Sequence, residues 1–411
     1  MATRDPGMVI VGAGQAGGRA ALTLRDLGYD GRVVLLGAEP HPPYERPPLS
    51  KAYLTGERVA DDFTFATITA LGAGDIEFRA DCTVEAIDRG RRIVRLADGE
   101  SLPYAKLLLA TGREPRRLPL DDATAERVLY LRDLTDADRL REALRPGARV
   151  AIIGGGFIGL EVAASATLLG CRPVVIELLP RLLSRMVPTP IAAFLQARHG
   201  AAGVEILLGA RLQEIALAGN GFVLTLEDRP AIETDAVLIG IGAVPRTALA
   251  EAAGLPVDGG IVVDATLRTE DPDVFAAGDV CAFPHAMAAG LLRLECWKNA
   301  DAQGALAARN MLGTGEACVD VPWFWSDQYE LTLQMAGIPE RGASTVERDV
   351  GAEARLLFHL DGDGRLVGVS GVGPASLARD LRLGQIMIER GLAPDPAALA
   401  DPGTKLKALL R

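Results

Sequence analysis

The chain has few of the residues that build metal, disulfide or hydrolytic sites. Its 411 residues include only five cysteines and four histidines. The cysteines are scattered without a CxxC or CxxxxC pair, so neither a disulfide framework nor a zinc site is expected, and a reducing cytoplasm fits this usage. The histidines lie far apart without HExxH spacing, and no GxSxG occurs. These absences exclude the common metal-dependent and serine-dependent hydrolytic classes.

Long basic blocks are also missing, and aromatic residues make up only 5% of the chain. The formal net charge is −11 and the isoelectric point is about 5.1, which argues against a nucleic-acid binder. A hydrophobic content of 49% with 46 glycines is typical of an Ala/Leu/Val-rich α/β protein with many tight turns. The length exceeds one ordinary core and predicts two or three domains.

A membrane segment is not expected either. The start, MATRDPG, runs directly into the first strand and leaves no room for a signal peptide. Residues 150–170 are almost wholly apolar and long enough to imitate a membrane helix. They contain five glycines and Glu161, however, and we interpret them as a buried strand, turn and helix. A soluble, cytoplasmic protein is expected.

The most informative feature is a glycine motif that occurs twice. The two copies are MVIVGAGQAGGRAA, with Gly12, Gly14 and Gly17, and VAIIGGGFIGLEVAA, with Gly154, Gly156 and Gly159. Each copy follows a short apolar run and opens an Ala-rich helical stretch. In that setting the first glycine makes a tight turn, the second admits a pyrophosphate, and the third packs helix on strand. The diphosphate then lies at a helix N-terminus. The pair predicts two dinucleotides on one chain; the alternative is glycine-rich turns in an ordinary α/β fold.

The repeat extends beyond the glycines, because LLLATGREPR near the end of the first part resembles AVLIGIGAVPR near the end of the second. Two domains of similar architecture are therefore expected. The chain then returns to the first domain through GGIVVDATLRTEDPDVFAAGDV, and its character changes at about Trp323, where an α+β cap begins. The predicted division is 1–115 (first dinucleotide-binding domain, first part), 116–245 (second dinucleotide-binding domain), 246–322 (first dinucleotide-binding domain, second part) and 323–411 (C-terminal α+β domain).

An acidic residue after the second glycine motif bears on the choice of nucleotide. Glu177 ends the strand that follows the motif, where a carboxylate can bind both ribose hydroxyls of an adenosine and would repel the 2′-phosphate of NADP. NADH is therefore preferred to NADPH, and a solvated strand end is the alternative. After the first motif, the acidic residue that could bind the ribose comes later than the end of the following strand. Glu39 stands one position beyond Ala38, where the ribose-binding acid is more usual.

Six motifs occur in an order that we know from one family. They are GAGQAG, PPYERPPLSK, LLLATGREPR, IIGGGFIGLE, TEDPDVFAAGDV and PWFWSDQ. Together they resemble the FAD-dependent, NADH-using ferredoxin reductases of bacterial oxygenase systems, the putidaredoxin reductase and biphenyl dioxygenase ferredoxin reductase family. The resemblance covers essentially the whole chain, and RPPLSK and PWFWSDQ are specific to this group. It implies a glutathione-reductase-like α/β fold, with two Rossmann-like dinucleotide-binding domains and an α+β C-terminal domain.

The resemblance also implies FAD at the first motif and NADH at the second. Lys51 is then expected near the isoalloxazine, Asp279 at the ribityl chain and Trp297 beside the flavin ring. Glu39 is expected to replace the missing acid at Ala38. The alternatives are a surface lysine for Lys51 and a helix cap for Asp279. The remaining candidate cofactor-binding residues are Ala16, Arg46, Val84, Ala110, Thr111, Gly112, Arg132, Ile158, Gly242 and Gly278.

The chemistry implied by the resemblance belongs to the cofactors, with the protein supplying alignment and electrostatics. Hydride passes from NADH to the flavin by proximity. We expect Lys51 to stabilise negative charge on the reduced flavin, and Glu161 to orient the nicotinamide amide or to pair with Lys51; a buried helix carboxylate with another partner is the alternative for Glu161. Trp323 and Trp325 are left open between core packing and an aromatic wall beside the flavin.

The expected electron acceptor is an acidic two-iron, two-sulfur ferredoxin that serves an oxygenase or a cytochrome P450, and the expected assembly is a monomer or weak homodimer. Candidate docking residues are Arg293, Lys298, Arg309, Lys405 and Lys407. Two other functions stay open from the sequence. One is an NADH oxidase or diaphorase, and the other is a redox-sensing scaffold similar to apoptosis-inducing factor.

Overall fold

The computed structural model describes residues 6–411, which divide into two compact units. The first unit contains the chain up to Glu45, Ala60–Glu114 and Val244–Asp320. The second contains Arg46–Val59, Pro115–Ala243 and Val321–Arg411. The stretch with the RPPLSK motif thus belongs to the second unit, and so does the C-terminal cap. The four-segment domain division made from the sequence stays a prediction.

The regular elements are numbered here in chain order. The strands are β1 Gly7–Val11, β2 Val33–Leu36, β3 Ile76–Arg79, β4 Val84–Asp88, β5 Ile93–Leu96, β6 Ser101–Leu109, β7 Arg113–Pro115, β8 Arg149–Ile153, β9 Arg172–Ile176, β10 Glu205–Leu207, β11 Leu212–Ala218, β12 Gly221–Leu226, β13 Arg229–Thr234, β14 Ala236–Ile239, β15 Ala243–Pro245, β16 Ile261–Val262, β17 Val274–Ala276, β18 Cys281–Pro284, β19 Leu291–Leu292, β20 Trp323–Gln328, β21 Leu331–Gly337, β22 Ser344–Arg348, β23 Arg355–Leu360 and β24 Leu366–Gly373. The α-helices are α1 Gln15–Asp26, α2 Ile68–Ala73, α3 Asp122–Arg127, α4 Leu134–Ala143, α5 Phe157–Leu168, α6 Thr189–Ala201, α7 Ala248–Ala252, α8 Trp297–Met311, α9 Ala378–Glu389 and α10 Pro396–Ala400. Short 3₁₀ helices span Pro47–Ser50, Ala60–Phe63, Pro339–Arg341, Ala375–Leu377 and Leu406–Leu410.

The first unit is built on a seven-stranded sheet in the order β3-β2-β1-β6-β5-β4, with β17 also paired to β6. The pairs among β3, β2, β1, β6 and β17 are parallel, whereas β4, β5 and β6 form an antiparallel meander. Every residue of β1 is buried, as expected for a central parallel strand covered on both faces. Helices α1 and α8 approach closely at Gly304, where a Cβ would lie 2.3 Å from the carbonyl oxygen of Ala16. Any larger residue at 304 would separate the two helices.

The second unit repeats this arrangement around the second glycine motif. A parallel four-stranded sheet has the order β10-β9-β8-β14, and β11, β12 and β13 form an antiparallel sheet beside it. The cap is a five-stranded antiparallel sheet in the order β20-β21-β24-β23-β22. Leu160 of α5, Leu333 of β21 and Leu357 of β23 belong to one buried apolar cluster. The cap and α5 therefore share a hydrophobic core within this unit.

The apolar span 150–170 contains the end of β8, a glycine loop and α5, which is the strand, turn and helix expected from the sequence. Across residues 6–411 no helix is both long enough and apolar enough to cross a membrane. Both glycine-motif helices begin directly after the second glycine of their motif. Gly14 and Gly156 are the N-cap residues, so Gly17 and Gly159 lie inside the first helical turn.

Candidate functional site

The first glycine loop, between β1 and α1, is shaped by close contacts with its own backbone. Gly12 has φ +109°, and a Cβ there would lie 2.2 Å from the carbonyl oxygen of Ala110. A Cβ on Gly17 would lie 1.8 Å from the carbonyl oxygen of Gly12. Gly14 differs, because a Cβ there would meet nothing within 4 Å. Gly12 and Gly17 are therefore required by the fold, whereas Gly14 leaves open space in front of the helix N-terminus.

The second glycine loop, between β8 and α5, repeats these contacts. Gly154 has φ +106°, and its Cβ would lie 2.5 Å from the carbonyl oxygen of Gly240. A Cβ on Gly159 would lie 2.3 Å from the carbonyl oxygen of Gly154, whereas one on Gly156 would meet nothing within 4 Å. The open position again faces a helix N-terminus, where free N–H groups and the helix dipole favour a phosphate.

Both loops thus fit a bound dinucleotide. The open space at Gly14 and at Gly156 is a cradle that any side chain would fill, as the approach of a pyrophosphate to the backbone requires. Directly after Gly14, the Oε1 atom of Gln15 is buried and accepts no hydrogen bond from the described residues. Its Nε2 atom donates to Asp301 at 2.7 Å.

Several predicted FAD-binding residues of the first unit lie close to this loop in the fold. Ala16 is buried, and Gly278, at φ +82°, would place a Cβ 3.1 Å from the Cβ of Ala16. The backbone N–H of Gly278 donates to Gln303 at 2.8 Å. Ala110 is buried and donates its N–H to Val11 at 2.8 Å, at the end of β1. The structure therefore brings Ala16, Ala110 and Gly278 together around the first glycine loop.

Among the other predicted residues of this unit, Thr111 also lies beside the loop, because its backbone nitrogen would be 3.2 Å from a Cβ on Gly12. Thr111 donates its hydroxyl to the carbonyl of Arg246 at 2.8 Å, and Gly112, at φ +67°, accepts from the N–H of Arg246 at 2.9 Å. Val84 begins β4 and packs partly buried against the core. Trp297 is the first residue of α8. Their contacts with FAD stay predictions.

Glu39 accepts a hydrogen bond from the hydroxyl of Tyr44 at 2.5 Å. Ala38 beside it is exposed. The tyrosine fixes the Glu39 carboxylate at the end of the segment that follows β2. Its proposed contact with the ribose stays a prediction.

Asp279 is part of an ion cluster that the sequence analysis did not foresee. Its carboxylate lies 3.0 Å from Nε of Arg113. Arg113 also contacts Glu295, and Glu295 pairs with Arg293 at 2.5 Å. The side chains of Asp279, Arg113, Glu295 and Arg293 are all mostly buried, with 14–30% exposed. Arg113 lies in LLLATGREPR, but the corresponding residue of the second copy is Ala243, so the repeat gave no signal for this arginine.

Glu177 holds the second glycine loop directly. Its Oε2 accepts from the backbone N–H of Gly155 at 2.7 Å, and its Oε1 accepts from Leu179 at 2.7 Å. The carboxylate is thus fixed at the end of β9, beside the open space at Gly156. Ile158 is partly exposed on the first turn of α5, and Gly242 has φ +104° in the loop after β14. Their contacts with NADH stay predictions.

Lys51 and Glu161, the two predicted catalytic residues, form an ion pair of 2.8 Å. The Glu161 side chain is 5% exposed and that of Lys51 is 20% exposed. The pairing places the RPPLSK segment against α5, where Ser165 donates to the carbonyl of Ser50 at 2.7 Å. The carboxylate also accepts from the hydroxyls of Ser50 at 2.5 Å and Ser326 at 2.6 Å. The expected pairing of Glu161 with Lys51 is therefore present.

The two predicted FAD-binding arginines of the second unit contact each other. Arg46 donates from Nη1 to the carbonyl oxygen of Arg132 at 2.5 Å. The N–H of Arg132 donates to Asp136 at 2.9 Å, in the first turn of α4. Burial, with the neighbouring Asp133 carboxylate as a smaller cause, raises the pKa of Asp136 above its ordinary value.

The tryptophans of β20 are neither fully buried nor isolated. Trp323 and Trp325 stack with ring centroids 5.3 Å apart, and Nε1 of Trp325 donates to Asp327 at 3.1 Å. The next residue along the strand from Trp323, Phe324, instead packs on Phe157 of α5 at 4.2 Å. Because side chains alternate along a strand, β20 packs one face on α5 and presents the tryptophans on the other.

The hydroxyl partners of Glu161 were not predicted from the sequence. Ser50 lies within RPPLSK and Ser326 within PWFWSDQ, but neither was expected to contact this carboxylate. The alternation of β20 would have placed Ser326 with Phe324 on one face. Nothing in a single sequence, however, indicates that this face meets α5.

The five cysteines are free thiols. Burial raises the pKa of Cys296 to about 11 and that of Cys318 to about 11. Burial also raises the pKa of Cys281. Buried thiols with raised pKa values carry little thiolate and are poor nucleophiles.

Two sheets, each with parallel strands beside a glycine loop that leaves room for a pyrophosphate at a helix N-terminus, define a protein that can hold two dinucleotides. Residues 6–304 match the family described as pyridine nucleotide-disulphide oxidoreductase, and residues 323–410 match the family described as reductase C-terminal. The chain belongs to the pyridine nucleotide-disulphide oxidoreductase family. It is an oxidoreductase that uses FAD and NADH, as predicted.

Individual relatives match over nearly the full length. The ferredoxin–NAD(+) reductase component of the anthranilate 1,2-dioxygenase system of Burkholderia cepacia is 42% identical over 409 residues, covering 99% of each chain. A rubredoxin-NAD(+) reductase of Pseudomonas putida is 41% identical, covering 80% of this chain and 86% of its own. The crystal structure of the covalent putidaredoxin reductase–putidaredoxin complex matches with a TM-score of 0.94 and 34% identity, covering 99% of this chain and 98% of that chain. The predicted resemblance and the glutathione-reductase-like α/β fold are confirmed.

Proposed function

We propose that this chain is the NADH:ferredoxin oxidoreductase of an oxygenase or cytochrome P450 system. The observation that carries the proposal is the end-to-end likeness, across 99% of both chains, to a ferredoxin–NAD(+) reductase component of a dioxygenase system. The thiols of Cys296 and Cys318 agree with it, because their raised pKa values leave little thiolate to compete for the electrons. Bound FAD would supply hydride acceptance and the release of single electrons.

The protein's own part in this function is binding and orientation. In the first unit, Gly14 leaves room for the FAD pyrophosphate, and the ion cluster of Asp279 and Arg113 fixes a carboxylate for the ribityl chain. In the second unit, Gly156 leaves room for the NADH pyrophosphate. Glu177 is fixed at 2.7 Å from the N–H of Gly155, so its negative charge would repel the 2′-phosphate of NADPH.

The Lys51–Glu161 pair is proposed to serve hydride transfer. A lysine next to the reduced flavin would stabilise its negative charge, and Glu161 would hold that lysine and the nicotinamide amide in place. Glu161 is almost fully buried and has three partners, Lys51, Ser50 and Ser326. The carboxylate is therefore pre-organised, which is what an orienting group needs in order to add to the rate.

We further propose that the electron acceptor is an acidic two-iron ferredoxin. Two of the basic docking candidates are already neutralised, since Arg293 pairs with Glu295 and Arg309 pairs with Glu316 at 2.8 Å. Lys405 and Lys407 are exposed at the C-terminal 3₁₀ helix. On a chain of net charge −11, these two lysines are the better candidates for steering an acidic partner. A cytoplasmic location and a monomer or weak homodimer complete the proposal.

The test is anaerobic reduction of the purified flavoprotein with NADH, followed by mixing with two-iron ferredoxins, a rubredoxin or oxygen. We expect rapid reduction of a two-iron ferredoxin, at a rate that falls as salt is added. The Lys405→Gln/Lys407→Gln double variant should slow this step without changing flavin reduction by NADH. Purified protein without flavin would contradict the proposal. Transfer to oxygen alone would identify an oxidase, and transfer to rubredoxin alone would change the assigned partner.

A further inference from the structure

A chain of buried polar side chains leads away from Glu161 through the second unit. It contains Ser326 and Gln328 of β20, His199 of α6, and the partly buried Tyr329 at the tip of the hairpin between β20 and β21. His199 is 0%, Ser326 1% and Gln328 2% exposed. None of these residues has a role predicted from the sequence. A buried polar network requires a reason, because each unmade hydrogen bond within it is costly.

The hydrogen bonds that link these polar side chains all run in one direction. Ser326 has a single hydroxyl proton, which it donates to Oε1 of Glu161 at 2.6 Å. Its oxygen accepts from Nε2 of Gln328 at 3.0 Å, and this orients the amide so that Oε1 of Gln328 faces Nε2 of His199 at 2.8 Å. An amide oxygen only accepts, so Nε2 of His199 carries the proton.

The other ring nitrogen of His199 completes the pattern. In a neutral imidazole with a proton on Nε2, Nδ1 is an acceptor, and the hydroxyl of Tyr329 lies 3.1 Å from it. Burial lowers the pKa of His199, which agrees with the neutral ring. Four donors in succession therefore point toward the Glu161 carboxylate, from Tyr329 through His199 and Gln328 to Ser326.

Tyr329, the member of this hydrogen-bonded series farthest from Glu161, is held in place by contacts with α6. Tyr329 has φ +57°, a backbone conformation that is unusual for a residue other than glycine and needs support from its surroundings. Arg198, the neighbour of His199 on α6, supplies it. Its guanidinium lies 4.0 Å from the centroid of the Tyr329 ring and forms two hydrogen bonds with Glu330, at 2.7 and 2.8 Å. The hairpin tip that sets the position of Gln328 is thus fixed to α6.

We propose that His199 and Gln328 are positioning residues for hydride transfer, which act through Ser326 to hold the Glu161 carboxylate against Lys51. The inference rests on the proposed role of Glu161. Ser326 supplies the donor to Oε1, and Oε2 is left to Ser50 and Lys51. Without that donor the carboxylate can rotate, and the 2.8 Å contact with Lys51 is no longer fixed. The residue that keeps the Ser326 hydroxyl pointed at Glu161 is Gln328, and His199 fixes Gln328.

The first test is the kinetics of flavin reduction by NADH in the full-length protein. Gln328→Met keeps the volume and removes both hydrogen bonds. We expect the limiting rate constant to fall about tenfold, the effect of one buried hydrogen bond left unmade, with the NADH dissociation constant unchanged. Ser326→Ala should show the same loss, and Ser326→Thr, which keeps the hydroxyl, should restore most of the rate.

The matched control is His359→Gln. His359 is a second buried histidine of the same unit, 4% exposed, with hydrogen bonds to Thr345 and Ser370 and none to the Glu161 chain. This variant should reduce its flavin at the wild-type rate. If flavin reduction in His359→Gln were slowed as much as in Gln328→Met, both losses would reflect a general loosening of the cap. That result would overturn the proposal.

The second test does not depend on activity. Nitrogen-15 NMR of the histidine rings, with the His199 signals assigned by their loss in His199→Gln, should show a neutral ring protonated on Nε2 in the wild type. The Nδ1–H tautomer in the wild type would overturn the proposed direction of the chain. Wild-type rates in both Gln328→Met and Ser326→Ala would overturn the positioning role and leave the proposed function intact. If NADH did not reduce the flavin of the wild-type protein, both the positioning role and the proposed function would be overturned.

Discussion

The variants Gly14→Ala and Gly17→Ala should have different effects, although both glycines lie in one loop. The first should weaken dinucleotide binding, and the second should destabilise the fold. A Cβ at Gly17 would stand 1.8 Å from the carbonyl oxygen of Gly12. Side chains essentially never approach an oxygen more closely than about 3 Å, so the loop must move by roughly 1 Å or more. We expect Gly17→Ala to cost on the order of 3 kcal/mol of unfolding free energy, as overpacking against a rigid backbone does.

Gly14→Ala should behave differently. Gly14 is the N-cap of α1 at φ −82° and ψ −162°, an extended conformation that alanine adopts without strain. Its Cβ would meet nothing within 4 Å. The gain from a stiffer unfolded chain and the loss of a good N-cap residue largely offset each other, so the change in stability should stay within about 1 kcal/mol. The methyl group would occupy the proposed pyrophosphate space, and FAD affinity should fall about tenfold to a hundredfold, the effect of one lost charge-assisted hydrogen bond.

The assay has two parts. Urea unfolding of the apoprotein gives the stability of each variant, and titration of the apoprotein with FAD, followed by flavin fluorescence, gives its affinity. Gly156→Ala and Gly159→Ala form the matched pair in the second loop, and neither is expected to change FAD affinity directly. If Gly14→Ala bound FAD as tightly as the wild type, the first loop would not be the pyrophosphate site. If the Gly17→Ala apoprotein were as stable as the wild type, the steric reasoning would be wrong.

Two further predictions concern charge. Glu177→Gln keeps an acceptor for the loop but removes the negative charge, so the preference for NADH over NADPH should fall about tenfold, measured as the ratio of the two kcat/KM values; an unchanged ratio would place the specificity elsewhere. Burial lowers the pKa of His359 from 6.5 to about 4, so the unfolded chain takes up a proton that the folded chain refuses. The contribution of His359 to the free energy of unfolding is therefore fully present above pH 6.5. It is lost as the pH falls toward 4, by roughly 3 kcal/mol in total. Urea unfolding between pH 7 and pH 4 should show a smaller acid loss in His359→Gln than in the wild type, and equal losses would contradict the assignment.

Much of the fold and part of the site could be predicted from the sequence, because their determinants are local. Gly12 and Gly154 are required by positive φ angles and by turns between a strand and the next helix, and such features repeat wherever the motif repeats. Burial on both faces of β1 follows from an unbroken apolar run. The family resemblance rests on the same short motifs. The pairing of Glu161 with Lys51, one of two roles left open for this carboxylate, is present as an ion pair of 2.8 Å.

Only the tertiary structure decided what surrounds Glu161. Its partners are Ser50 and Lys51, at the end of the 3₁₀ helix Pro47–Ser50, and Ser326 of β20, each more than a hundred residues from Glu161 along the chain. The polar chain then continues to His199 on α6, a helix that the sequence analysis did not identify. Hydrogen bonds between distant segments leave no periodic mark on a single sequence, whereas glycines at a tight turn do. The sequence alone therefore determined the two glycine loops that are proposed to hold the dinucleotides, and the packing of β20 and α6 on α5 decided how the carboxylate beside Lys51 is held.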